Sequence, residues 1–285
     1  MFSLPTEVQL DVLKCFNFNQ LFAVKQTNFY FCNLINKYEG ELARKKFSEI
    51  SIFELDSFRM SNIDKLLELE SGVFEVTLND QLKKKWQTAI DKSTPLFLNN
   101  SGPDRELMVT IEKTFINLSD TKSYYILKLP NSPKNFKEMI IIRCWLQHLF
   151  NCAFEFGCFD KSIFNPEMIN ILFDNDKTSP PKFNIQGATL YASNKTFQNV
   201  LRTSLNHLTI STCLYINLQS VDITEQHTDI LFNILINEGN KFSKIYFTSS
   251  KLTRLHDLIL KVGTLFISPT PYFSLNNFFS CYQTL

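Results

Sequence analysis

Glycine is scarce in this chain. Seven copies occur in 285 residues: Gly40, Gly72, Gly102, Gly157, Gly187, Gly239 and Gly263. No two are close enough to build a phosphate-cradling loop, which excludes the P-loop and the dinucleotide fingerprint. A Gly-x-Ser-x-Gly nucleophile elbow is also missing. The four histidines, His148, His207, His227 and His256, form no His-Glu-x-x-His pair. Net charge is only +1, so there is no bulk electrostatic case for nucleic acid or an anionic membrane. Long apolar runs are lacking too. Ile140 to Trp145 is the most apolar stretch, but Arg143 and His148 interrupt it, well short of the ~20 residues a spanning helix needs. The opening residues Phe2 to Pro5 carry no basic region, and Glu7 and Asp11 put charges into the next apolar stretch, so no secretory signal is expected. Seven cysteines, odd in number and irregular in spacing, make no disulfide framework. These absences together point to an intracellular chain, cytoplasmic and/or nuclear. The sequons at Asn99, Asn117 and Asn194 then read as chance matches in an Asn-rich sequence.

What is present is hydrophobic. Apolar residues make up 44% of the chain, enough for a sizeable core in one large domain or two smaller ones. Phenylalanine reaches 28 copies. Phe, Asn, Lys and Ile all have AT-rich codons, so part of the excess reads as genome bias.

The first forty-seven residues carry the strongest pattern. Pro5 suits the first helical position, where its missing N–H costs nothing. Glu7 lies in the first turn, where the helix dipole favours a negative charge. Val8, Leu10, Val12, Leu13 and Phe16 cover more than one narrow stripe, a surplus suited to a partner-facing helix. Asn19 is a candidate cap for a second short helix with Leu21, Phe22 and Val24. Thr27 or Asn28 can cap a third, with Phe31, Leu34, Ile35, Tyr38 and Leu42 at spacings of three and four. Gly40 weakens its middle, and a break is expected there.

Leu4-Pro5-x-Glu7, the apolar ladder to Leu13 and Phe16, Leu21 before Val24, and the aromatic Phe31 resemble the F-box motif. The wording around Asn17 to Leu21 and Tyr38 to Ala43 resembles the expanded nematode F-box family in particular. Gln20 stands where an acidic residue is usual, Asn28 where many F-boxes have Cys, and Phe31 where many have Trp. F-box domains bind the small adaptor subunit of cullin-RING (SCF-type) ubiquitin ligases, and the remainder of such proteins usually captures the substrate. The resemblance therefore implies an adaptor-binding surface of Leu4, Pro5, Val8, Leu13, Leu21 and Val24. It also implies the adaptor, and through it a cullin, as partners, beside an unknown protein substrate. The plainer alternative is a helical cap packed on its own domain.

Beyond Phe47 the pattern changes. Ile63 to Leu69 reads as a short helix and Val73 to Leu78 as a strand. A polar stretch with Ser93-Thr94-Pro95 and Ser101-Gly102-Pro103 suggests loops around a short strand at Leu96 to Leu98. From Tyr124 a strand–helix unit recurs. Strands are expected at 124–129, 152–159, 183–191, 207–212 and 242–247, and helices at 135–150, 167–173, 197–205, 224–237 and 252–260. Such alternation implies parallel strands joined by right-handed crossovers. The expected class is α/β: a three-helix F-box followed by an irregular leucine-rich-repeat-like array with a largely parallel sheet. A closed α/β sandwich is the alternative. Boundaries are expected at 1–47 (helical), 48–122 (connecting), 123–262 (repeat region, substrate-binding) and 263–285 (irregular tail).

Cys144, His148 and Cys152 fall at i, i+4 and i+8, with Cys158 six residues later. Such a set could hold zinc, yet tight Cys-x-x-Cys knuckles are missing, and cysteine behaves equally well as a small hydrophobe packed on a sheet. No metal or cofactor is expected. Arg44 to Lys46 and Lys83 to Lys85 read as solvated faces, and Trp86 as core or as an interaction hot spot. The expected function is a substrate receptor without chemistry of its own, with neither nucleic acid nor membrane as partner. Its alternative is an F-box scaffold or effector acting in protein–protein interaction outside ubiquitin ligation.

Overall fold

Asparagine opens five of the nine helices found among the described residues. Its short side chain accepts from a backbone N–H that has no partner inside the helix. Asn17, Asn28, Asn79, Asn135 and Asn165 do this at 2.8–3.0 Å. Part of the asparagine excess thus has a structural use. The computed structural model describes residues 4–54, 63–67, 78–99, 106–113, 123–160, 162–174, 181–249, 251–263 and 272–274.

Three short helices open the chain: α1 (Thr6–Lys14), α2 (Phe18–Lys25) and α3 (Phe29–Lys37). The second helix is capped by Asn17, two residues before the expected Asn19, and Gln20 closes a capping box with it. The third is capped by Asn28 and ends before Gly40, where the chain makes a single 3₁₀ turn at Glu39–Glu41. Leu13, Leu21, Phe31, Leu34, Ile35 and Leu42 form a small core of their own. Gln9 is buried among them and joins two helices. Its Nε2 donates to the Leu4 carbonyl at 2.7 Å, and its Oε1 accepts from the Tyr30 hydroxyl at 2.9 Å.

The rest of the chain builds a layered α/β body. Its first part holds β1 (Lys45–Glu54), β2 (Ile63–Leu67), α4 (Asp80–Asp91), β3 (Phe97–Asn99), β4 (Leu107–Glu112) and β5 (Tyr124–Lys128). Then come α5 (Phe136–Phe150), β6 (Cys152–Phe159), β7 (Ser162–Phe164), α6 (Pro166–Phe173), β8 (Phe183–Ser193) and α7 (Phe197–Asn206). The last part is β9 (Leu208–Ser220), α8 (Glu225–Glu238), β10 (Lys244–Thr248), α9 (Thr253–Gly263) and β11 (Tyr272–Ser274). Nine strands make one sheet in the order β11-β10-β9-β8-β6-β1-β4-β5-β2, and β3 pairs with β7 apart from it. Within the large sheet β4 alone runs against the others.

The strand–helix rhythm from Tyr124 onward matches the expected positions closely. The expected strand at 207–212 continues to Ser220 in β9. Other stretches differ. Ile63–Leu67 is a strand paired in parallel with β5 rather than a helix, and its pairing with β5 takes up the backbone groups on its inner side. Strands β1 and β4 and helix α4 have no counterpart among the expected elements. The expected strand at Val73 falls on residues outside the described ones, apart from Leu78, and so does most of the tail.

Successive crossovers from β6 to β11 always step the same way along the sheet. Right-handed connections then leave α6 to α9 on one face. One continuous core lies between that face and the helices, with Trp86, Phe97, Phe154, Phe164, Phe183 and Phe197 its largest fully buried side chains. Phe183 sits 4.6 Å from Phe150 and 4.9 Å from Phe164, ring centre to ring centre. Trp86 is core, and its indole N–H donates to the Ile171 carbonyl at 3.1 Å. In β9 the residues Leu208, Ile210, Leu214, Ile216 and Leu218 are buried while Thr209, Ser211, Tyr215 and Gln219 are exposed. The register against β8 slips by one residue between Ile210 and Cys213, and this bulge keeps the apolar side inward. Gly157 faces the core. A Cβ there would come within 2.9 Å of Ile185 Cδ1, so a larger residue would require the Ile185 side chain to shift.

Candidate partner-docking surface

The six residues of the expected adaptor surface divide into two groups. Leu4, Pro5 and Val8 are exposed within one turn at the start of α1. Leu13 and Leu21 are buried in the module's own core, and Val24 is half-buried against it. The structure thus brings Leu4, Pro5 and Val8 together at the surface and uses Leu13 and Leu21 as the pins beneath. Gln9 holds the Leu4 backbone against α1, which leaves the Leu4 side chain outward.

Further apolar side chains of the module are exposed. Eight large hydrophobic side chains are exposed among the described residues, and five belong to residues 4–30: Leu4, Val8, Phe22, Phe29 and Tyr30. Phe29 is 80% exposed. Five of eight on a segment so short is a concentration above single, scattered exposure. Phe22, Phe29 and Tyr30 were not among the expected contact residues. Their signal was the aromatic density of the segment, more than three short helices can bury.

The sheet body offers a second, different surface on the side away from its helices. Thr189, Tyr215 and Tyr246 stand in register on β8, β9 and β10. The two tyrosine rings stack at 4.5 Å with planes 8° apart. Asn217 and Thr248 lie farther along the same strands. On the same side of the sheet, but largely covered, Glu49, Glu112 and Tyr124 are direct neighbours on β1, β4 and β5, with Glu112 buried. Burial, and then the Glu112 and Glu49 carboxylates, push the Tyr124 hydroxyl up to about 12. It stays protonated at neutral pH and donates to Glu112. On the helical side a cleft of about 370 Å³ is lined by Lys85, Glu167, Asn170, Asp174, Asn199 and Arg202. Lys85 and Asp174 pair across it.

Loops at the carboxyl ends of three successive strands are linked to one another. The Asn194 side chain donates to Asp222 at 2.9 Å and accepts from its backbone N–H at 2.7 Å. Lys251 approaches the same carboxylate at 3.6 Å. The amide and the ammonium together hold the Asp222 carboxyl below its ordinary range. Thr224 caps α8 directly after this loop.

The candidate zinc residues behave as packing groups. The Cys152 thiol donates to the His148 carbonyl at 3.2 Å rather than lying beside its imidazole. Burial pushes the Cys152 thiol up to about 11 and raises Cys144 as well, the opposite of what a metal ligand or nucleophile needs. Among the described residues no group of three or more His, Cys, Asp or Glu side chains is placed to hold a metal ion. Among the same residues no helix is long and apolar enough to cross a membrane.

A family model described as Domain of unknown function (DUF8381) matches residues 67–219, more than half of the chain. The chain belongs to this family. The match begins at Leu67, the last residue of β2, and runs through nearly all of β9, so the helical module and β1 fall outside it. Neither a curated protein nor a solved structure matches the chain.

Proposed function

We propose that this protein is a substrate receptor of a cullin-RING (SCF-type) ubiquitin ligase. The helical module docks the adaptor subunit and the sheet body holds a protein substrate. One observation carries the reading: the module closes a small core of its own, yet keeps Leu4, Val8, Phe22, Phe29 and Tyr30 at the surface. A helical cap serving its own domain would turn such side chains inward. The resemblance of Leu4 to Phe31 to the F-box motif supplies the partner. In this reading Leu4, Pro5 and Val8, with the edge of Val24, form the contact, and Leu13 and Leu21 shape it from below.

In this reading the strand–helix units from β6 onward, which step in one direction along the sheet, make up an irregular leucine-rich-repeat-like array. Its helix-free face around Thr189, Tyr215 and Tyr246 is then the substrate-presenting surface. The receptor works by proximity, holding its substrate near a charged conjugating enzyme and supplying no chemistry itself. The proteins reached are intracellular, cytoplasmic or nuclear. The test is co-purification with the adaptor. Leu4→Ala with Pro5→Ala should abolish it while the circular dichroism melt is unchanged; undiminished recovery of the adaptor would reject the reading. The F-box scaffold acting outside ligation differs in one observable, recovery of adaptor without cullin.

A further inference from the structure

The helical module reaches the sheet through almost no linker. Leu42 belongs to the module's core, and β1 begins at Lys45. That strand is not peripheral: it lies between β6 and β4, inside the nine-stranded sheet. Only the backbone torsions around Ala43 and Arg44 separate two independently cored bodies. Left unrestrained, such a joint would allow the bodies to swing, which is the ordinary behaviour of units joined by a small interface.

Four side chains close or brace this joint. Arg44 Nη1 donates to the Phe150 carbonyl at 2.8 Å and its Nη2 to the Gly40 carbonyl at 3.2 Å. One planar guanidinium thereby spans the last turn of the module and the last residue of α5. Phe150 ends that helix, where carbonyls lack intrahelical partners and the dipole favours a cation. Beside it Asn151 Nδ2 donates to Glu39 Oε2 at 2.9 Å. Asn184, from β8, donates to the same Phe150 carbonyl at 2.8 Å and fixes the sheet side of the contact. Each bond crosses the joint or anchors the group that does.

We infer that Arg44, assisted by Asn151, is a positioning residue that locks the helical module to the sheet at one fixed angle. The docking turn of the module and the helix-free face of the sheet are therefore held at a constant separation and orientation. That this geometry serves to present a substrate rests on the receptor reading; the lock itself does not. Lysine cannot replace the arginine fully, because an ammonium is a point donor and cannot fork between two carbonyls in one plane.

Residual dipolar couplings of backbone amides in the full, deuterated chain test this. In the wild type one alignment tensor should fit residues 6–37 and the strands β6, β8 and β9 together. In Arg44→Ala/Asn151→Ala the module's tensor magnitude should fall to about half or less of the sheet's, as for bodies free to reorient. Arg44→Lys should lie between, and Asn151→Ala alone covers the case in which the double variant fails to fold. Two tensors already in the wild type, or a single tensor retained in a folded double variant, would overturn the inference. Adaptor binding is read on the same samples: retained binding with a lost common tensor confirms the lock. In the wild type, absent binding with one common tensor rejects only the receptor reading.

Discussion

The helical module and the sheet body bury their apolar residues in opposite ways. In the sheet body a large continuous core takes in whole aromatic rings, and the surface left outside is mainly hydroxyl, amide and charge. In the module six buried side chains hold three helices together while five large hydrophobics stay in water. Exposed apolar area of that size does not stabilise the free chain; it becomes favourable when a partner covers it. The contrast separates residues that hold the protein together from apolar residues left at its surface, and substitutions can be chosen to test each class.

The largest effect is expected in the body. Phe183→Ala removes a ring packed between Phe150 and Phe164 and should cost about 3–5 kcal/mol in denaturant unfolding. Leu13→Ala in the module should cost less, about 2–3 kcal/mol, because three short helices can collapse around the void. Hydrogen exchange should show its opening confined to residues 6–42. Global opening would mean that the two cores are one.

Gly157→Ala is expected to cost about 1–3 kcal/mol by overpacking against Ile185. Val8→Asp, on exposed surface, should change stability by no more than about 0.5 kcal/mol. It should nevertheless remove adaptor binding. A large loss of stability from Val8→Asp would place that side chain among the structural residues and blunt the comparison.

Acidification should act mainly on the body. His207 is fully buried, and its Nδ1 lies 3.2 Å from the Pro181 carbonyl. Burial lowers its pKa below the ordinary histidine value of 6.5, outweighing the Pro181 bond. Folding therefore keeps this ring neutral while the unfolded chain takes up a proton as pH drops. Stability is full above about 6.5 and falls as pH decreases from there toward the lowered folded value. Replacing His207 with Gln should flatten this slope in pH-dependent melts. An unchanged slope would assign it to other groups.

Much of the body was legible because its strands and helices alternate at clear boundaries, as at Asn135, Pro166 and Thr224. The stretches that escaped share a cause. Every residue of β4 is buried, so Leu107 to Glu112 shows no alternation between faces. In β1 the apolar pattern breaks at Ser48–Glu49 between Phe47 and Ile50. Helix α4 buries only Leu82, Trp86 and Ala89, and its lysine run hides that spacing. Ile63–Leu67 carries leucines at spacings that also suit a helix, and its pairing with β5 decides the matter. In the module the chain order of helices was legible. Which apolar residues point inward was not, since Leu13 and Val8 are alike in polarity and differ only in where three helices close around them.

Titration of the purified adaptor subunit into this protein by calorimetry tests the central claim most directly. The account predicts saturable binding by the wild type and its loss in Val8→Asp, with both proteins melting at the same temperature. A wild type that gives no heat, or a variant that binds as well as the wild type, would contradict it.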